Sequence, residues 1–342
     1  MPAPQDTNAT PFHSGPVGFA AALLAAICVA AALAAGGTRA AAPAGAWPQH
    51  NGDAAGTRQA GPTRISSATA ARLAPAWRVP FDSAGGYEGI FASNPIVVDG
   101  VVYALDLHST LRAIGLRSGR VLWTRSSRAP SGGPNGVAYG DGVIVGVTDT
   151  AAYAVDARSG RQLWARPIAT TRAEQYVTIP PVVAGGRAYL ATIGFPPGGR
   201  GHLYGLDLRT GRVLWKLDTI EKPWPTPEAG GGGAWYPVSV DGQGRVYAGI
   251  ANPGPWGGSP KRPNGGDFPG PARWTDSLMV VDGATGKLLW ADQVTPHDVR
   301  DHDFQATPIL TQAGSGAARR ALVIGAGKAG RVIAWDRATR RR

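Results

Sequence analysis

Cysteine is almost missing from this chain of 342 residues; the single one is Cys28. It lies inside an apolar stretch, so the remainder holds no disulfide, no thiolate metal site and no Cys-x-x-Cys-His haem attachment. A lipoprotein reading of Cys28 meets Ile27 where a small residue belongs. Helical periodicity is equally scarce: outside 17–35 no segment sustains an apolar period of 3.6, which leaves strands and turns as the building material. The net charge of +11 comes without a basic helix or an aromatic RNA-binding motif. Its excess is arginine scattered along the chain, and this reads as a solvated surface rather than a nucleic-acid interface. The final Arg340-Arg341-Arg342 is a charged terminus.

What the chain has in plenty is Gly, 49, and Pro, 29, set between apolar runs, so it is turn-rich rather than disordered. The length suffices for a large core, as one repeat domain or two ordinary ones. One phrase recurs: Ser118-Gly119-Arg120-Val121-Leu122-Trp123, then Ser159 to Trp164, Thr210 to Trp215 and Thr285 to Trp290. Asp156, Asp207 and Asp282 stand eight residues before their Trp, and a fifth copy opens at Asp336-Arg337-Ala338-Thr339. Such self-similarity marks a repeat architecture.

The text between the copies reads strand, Asp-Gly or Gly-Gly turn, strand. Asn94 to Asp106, Gly136 to Gly146, Pro181 to Leu190 and Pro237 to Tyr247 all show it. A third run follows at 152–156, 203–207 and 278–282, then the Ser/Thr-Gly turn and a fourth strand with the Trp. Four antiparallel strands per 40 to 50 residues describe a β-propeller blade, so the expected fold class is all-β with about five such blades. The repeated Trp then has a structural task, packing against the next blade, while the Gly supplies the turn. Two Pro/Gly-rich insertions, 221–235 and 251–276, lengthen the loops where a site would be built.

Residues 1–46 are expected to be a signal peptide or N-terminal membrane anchor with a linker, and 47–342 the propeller. Val17 to Ala35 is Ala/Leu-rich and uncharged, with the small residues Ala40 to Ala46 beyond it. No Lys or Arg precedes this run while Arg39 follows it, the reverse of the order that favours export. Export remains the expected fate, with the folded part periplasmic, extracellular or anchored facing outward.

Several motifs in order resemble the pyrroloquinoline quinone (PQQ)-dependent alcohol dehydrogenases. They are Trp47 to Asp53 with Leu73-Ala74-Pro75-Ala76-Trp77, Gly231-Gly232-Gly233-Ala234-Trp235, Gly249 to Trp256, Thr295 to Asp303, and Gly325 to Gly330. The resemblance spans 47–338 and implies PQQ and Ca²⁺ or a lanthanide as cofactors, with a small alcohol as substrate and an unidentified electron acceptor. In it, Trp235 is the aromatic floor under the quinone, Asn252, Asp301 and Asp303 face the metal, Asp301 is the general base, and Lys328 faces the quinone oxygens. These residue types suit the chemistry: a planar quinone needs an aromatic platform, a hard cation needs oxygen donors, and an alcohol needs a proton acceptor. Asp303, two residues from Asp301, is expected on the same side of an extended strand. Asp298 is expected to be dispensable.

The chain departs from the family in places. Gly194 to Gly201 carries no acid where the family has a metal-binding Glu, and Pro134-Asn135-Gly136 lacks its Arg. The adjacent-cysteine ring is absent, and Arg300 stands in place of Trp. The family's ring has about eight blades, so the chain is expected to be a partial ring, cut from a longer protein or closed by a second chain. From another class, the alternative reading is a non-catalytic PQQ-repeat propeller serving as an envelope scaffold or binding module.

Overall fold

The structure is a computed structural model. It describes residues 46–59, 63–81, 93–127, 129, 136–177, 179–256, 258–259, 262–263, 268 and 270–342. The apolar segment 17–35 and Pro134-Asn135 lie outside the described residues. Among the described residues, no helix is long and apolar enough to cross a membrane. The one α-helix there is the single turn α1, Ser67–Ala70.

The rest is strands, grouped as antiparallel meanders. The first sheet joins β1 (Ile96–Val98), β2 (Val101–Leu105), β3 (Leu111–Gly115) and β4 (Val121–Arg125). The second joins β5 (Ala138–Gly140), β6 (Val143–Val147), β7 (Ala151–Asp156) and β8 (Gln162–Pro167). The third joins β10 (Val182–Ala184), β11 (Arg187–Gly194), β12 (His202–Asp207) and β13 (Val213–Asp218), with β9 (Gln175–Tyr176) on the far end of β11. In the fourth, β15 (Ser239–Val240) and β16 (Arg245–Gly249) pair with β20 (Ser277–Asp282) and β21 (Leu288–Gln293). Between them, the insertions form the short pair β14 (Gly230–Gly231) and β17 (Pro253–Gly254), and the pair β18 (Gly258–Ser259) and β19 (Arg262–Pro263). The fifth sheet has β22 (Ile309–Ala313), β23 (Arg320–Ala326) and β24 (Val332–Asp336). The chain is thus all-β, built of five consecutive propeller blades among the described residues.

Alternation explains why the blades stack. A strand turns successive side chains to opposite faces, and β6 is buried along its whole length. Val143, Val145 and Val147 join the core shared with the third blade, while Ile144 joins the core shared with the first. Further cores lie between the third and fourth blades around Leu203 and Met279, and between the fourth and fifth around Val280 and Trp335.

The repeated phrase closes the first three interfaces between blades. The Trp164 indole N–H donates to the Leu208 carbonyl of the next blade at 2.9 Å, and Trp123 and Trp215 do the same to Ala157 and Gly283. Each ring lies flat against the next blade's turn glycine: a Cβ on Gly211 would come 2.5 Å from Trp164 Cδ2. The glycine therefore does two things, since it also holds φ +67, a left-handed conformation that suits it best. Trp77 completes the series from the N-terminal segment, stacking on Gly119 and donating to Leu116. The strand opposite each Trp bulges at one place, as at Ala154/Val155 and Gly205/Leu206.

The fifth copy forms the same turn without glycine. Asp336 Oδ1 accepts the N–H groups of Ala338 and Thr339, and Arg340 takes φ +62. Here the fourth and fifth blades are clasped by charge. Asp241 Oδ2 accepts from Arg245 Nε at 2.7 Å, from the Tyr247 hydroxyl at 2.9 Å and from the Arg337 guanidinium. The N-terminal segment spans the blades: Trp47 pairs with Val97 of β1, and the Ala54 carbonyl accepts from Leu310 of β22.

Candidate functional site

All five residues singled out from the sequence, Trp235, Asn252, Asp301, Asp303 and Lys328, line one cavity of about 380 Å³. That size lies in the range of small-molecule sites, roughly 300 to 1,000 Å³. The two insertions build its walls. Gly231 and Gly232 hold φ +89 and +65, and a Cβ on them would strike Asn252 O at 2.6 Å and Ile220 Cγ1 at 2.4 Å. Only glycine lets this backbone close on the Asn252 loop, to which it is tied by the Gly232 N–H to Asn252 carbonyl bond of 2.8 Å. Trp235 follows directly, with Phe195 edge-on at 5.8 Å between ring centroids. Behind the walls the inserted loops make their own small core, where Trp224 stacks flat on Phe268 at 4.6 Å and meets His297 edge-on.

The charged floor comes from two other pieces of chain. Lys328 sits in the hairpin between β23 and β24, and its N–H donates to the Asp303 carbonyl at 3.0 Å. Gly327 permits that approach, because a Cβ there would lie 2.2 Å from the same carbonyl oxygen. Lys328 Nζ then reaches both Asp301 oxygens at 2.9 Å and Asp303 Oδ2 at 2.5 Å. The other Asp303 oxygen accepts the Asn252 N–H at 2.9 Å. Asp303 is buried, with 2% of its surface exposed, and this desolvation pushes its carboxyl above the usual range, against the opposing pull of the Asn252 N–H and Lys328. For Lys328, partial burial pulls downward. The hydrogen bonds and charges of Asp303 and Asp301 outweigh it and raise the ammonium pKa.

The route to this arrangement differs from the expected one. Asp301 and Asp303 are not on an extended strand: both take left-handed backbone, φ +61 and +33, in a loop. Both meet the Lys328 ammonium from this loop, and strand alternation plays no part in aligning them. Asp298, expected to be dispensable, is enclosed as well. Its side chain is fully buried and accepts the Arg300 and His302 N–H groups at 2.8 and 2.6 Å. Beneath it lies Asp276, wholly buried, its pKa pushed up to about 9 by desolvation and then by Asp298 and Asp303. Asp276 stands before an ordinary apolar strand, and nothing in its local sequence marks it. Trp256, the last residue of the Gly249 to Trp256 motif, also lines the cavity, as do Tyr236 and Gln305, which no motif marks.

These residues suit the groups implied by the resemblance. Trp235 offers a ring face, and Asp301 and Asp303 offer hard oxygen donors at one end. Asn252 is 8% exposed and its Nδ2 is buried without a partner, which leaves an N–H donor suited to a quinone oxygen, while only its Oδ1 is suited to a cation. The loop 194–201 adds Phe195 and Pro196 to the lining and no acid, so the donor set is smaller than the family's.

Comparison with known proteins agrees with this geometry. The family model for the PQQ glucose/ethanol/alcohol dehydrogenase β-propeller domain matches residues 47–341. A 1-butanol dehydrogenase (cytochrome c) of Thauera butanivorans is 30% identical over 326 residues, covering 86% of this chain and 46% of its own. A quinohemoprotein alcohol dehydrogenase of Pseudomonas putida is 29% identical over 326 residues, covering 84% and 46%. The chain spans about half the length of these curated relatives. Among solved structures, the quinohemoprotein alcohol dehydrogenase of Comamonas testosteroni has a TM-score of 0.71 at 25% identity, covering 87% of this chain and 48% of that one. A europium-containing methanol dehydrogenase shares the fold, with a TM-score of 0.75 at 23% identity, covering 88% and 57%. By its blades and its matched length, the chain belongs to the glucose/ethanol/alcohol dehydrogenase β-propeller family.

Proposed function

We propose that this chain forms the quinone- and metal-holding part of a PQQ-dependent alcohol dehydrogenase, with a small alcohol as substrate. The observation that carries the reading is the convergence of Trp235, Asn252, Asp301, Asp303 and Lys328 on one cavity from four separate stretches of chain. Trp235 would support the quinone ring, and the Asn252 amide with Asp301 and Asp303 would hold Ca²⁺ or a lanthanide. When bound, the quinone supplies the two-electron, hydride-accepting chemistry.

The chain's own part is proton handling and charge. Asp301 is the more accessible carboxylate, its side chain 31% exposed against 3% for Asp303. It is the general base and takes the alcohol hydroxyl proton on a carboxylate oxygen. Lys328 holds that carboxylate oriented before the alcohol arrives, and its positive charge stabilises negative charge developing nearby. Phe195, Trp256 and Tyr236 give the cavity aromatic walls that favour an apolar alcohol and limit water.

A second reading, the non-catalytic envelope scaffold, is favoured by the acid-free loop 194–201 and the smaller donor set it leaves. One experiment separates the two. Purified protein is mixed with PQQ and Ca²⁺ or La³⁺, and quinone absorbance and alcohol-dependent dye reduction are followed. Bound quinone with dye reduction that Asp301→Ala abolishes supports the dehydrogenase. No bound quinone at micromolar protein sinks it and leaves the scaffold.

The remaining proposals concern context. Residues 1–46 serve as a signal peptide or anchor that exports the propeller, 47–342, and the ring is completed by further blades of a longer protein or by those of a second chain. Fractionation of the expressing cells and the mass of the native particle test these.

A further inference from the structure

Two residues of the candidate site, Asp301 and Asp303, stand on left-handed backbone that no glycine eases. Such conformations persist only where the surroundings impose them. The loop 298–303 has no strand pairing of its own; at its far end the His302 and Asp303 carbonyls accept the Ala329 and Lys328 N–H groups, and around Asp301 the restraint is a side chain. Asp298 supplies it. One of its oxygens accepts the Arg300 N–H at 2.8 Å, and the other accepts the His302 N–H at 2.6 Å. Those amides flank Asp301 on either side. The Asp298 side chain is fully buried and is not part of the cavity wall, so it touches the site only through this backbone. Asp276 lies beside it, wholly buried and without a hydrogen bond of good geometry on either oxygen. Its own N–H donates to the Ala251 carbonyl at 3.0 Å, next to Asn252. The Asp276 backbone is thus tied to the loop of Asn252, while its carboxyl lies beside Asp298 under the loop of Asp301 and Asp303.

We infer that Asp298 is the positioning residue of this site: by taking both amides that flank Asp301, it sets the left-handed turn that brings Asp301 and Asp303 onto Lys328. The geometric claim stands on the hydrogen bonds; its consequence for turnover rests on the dehydrogenase reading above. A carboxylate fits the task because it can accept two N–H groups at once, one per oxygen. Asparagine at that position accepts one and turns an N–H₂ toward the other.

The test uses the full chain as wild type, Asp298→Ala and Asp298→Asn. Hydrogen exchange read by mass spectrometry on peptides covering 298–305 should show protection in the wild type. Exchange there should be at least tenfold faster in Asp298→Ala and intermediate in Asp298→Asn, with the blade strands unchanged. In protein loaded with PQQ and Ca²⁺, kcat should fall about 100-fold in Asp298→Ala while quinone affinity stays within threefold, and Asp298→Asn should recover part of the loss. Unchanged exchange at 298–305 in both variants overturns the inference. So does a rise across the whole chain in both, which would make Asp298 a residue of the fold. If the wild type binds no quinone, the dehydrogenase reading fails and the exchange data alone decide on Asp298.

Discussion

Lys328 Nζ stands 2.9 Å from each oxygen of Asp301. The same ammonium reaches Asp303, so one cation serves two carboxylates and leaves the trio with a single net negative charge. Replacing the lysine should therefore damage the site more than its partial exposure suggests. Lys328→Met is expected to cut alcohol-dependent dye reduction by roughly 10² to 10³, with Lys328→Arg retaining more, since a preorganised charge near the reacting atoms is worth about that much. Asp301→Asn should lose roughly 10² to 10⁴. Far-UV circular dichroism should be unchanged in all three.

Asp276 should make stability depend on pH in an unusual direction. Its pKa in the folded chain, about 9, lies above the ordinary carboxyl value of 3.8, so the native state holds a proton that the unfolded state releases. Folding is then penalised increasingly as pH rises from about 4 toward 9. Asp276→Asn removes that penalty. Its melting temperature should exceed that of the wild type at pH 8.5, and the gap should close at pH 5.

At the blade interfaces, Trp164→Ala should cost roughly 3 to 5 kcal/mol, as large-to-small changes at buried aromatics do. Gly211→Ala should also destabilise, through both its φ of +67 and the Cβ that would press on the Trp164 ring. The two residues share one contact, so the double variant should lose less than the sum of the single losses. Urea unfolding measures all three. Trp235→Ala, in contrast, should weaken quinone binding with little change in the urea midpoint.

Between the fourth and fifth blades, Asp241→Ala should cost roughly 1 to 3 kcal/mol, because it leaves the half-buried guanidinium of Arg337 with only the Tyr247 hydroxyl as partner. Replacing Arg337 and Asp241 together should be milder than either alone, which a double-mutant cycle reads directly.

The sequence disclosed the blades well because an indole and a glycine each have narrow physical requirements, so their spacing survives as text. Trp77 plays the same role yet lacks the Ser/Thr-Gly turn before it, and so it did not register as a copy. The five cavity residues were visible through motifs, whereas their geometry was not. The extended strand expected at Asp301 and Asp303 gives way to a left-handed turn bonded to the buried Asp298, and that burial is not written in the local sequence. Asp298 and Asp276 illustrate the general limit: their importance arises from being enclosed, and enclosure is a property of chain segments far apart in sequence.

The contact between each indole and the next blade's turn glycine has one more consequence. It fixes how neighbours meet using a single pair of residues, both remote from the inserted loops. Loop length and blade docking are therefore independent variables, and successive tryptophans can lie 41, 51 or 75 residues apart without altering the join (Trp123, Trp164, Trp215, Trp290). A scaffold of this kind can enlarge one connection freely, and the two enlarged here are the ones that furnish Trp235 and Asn252.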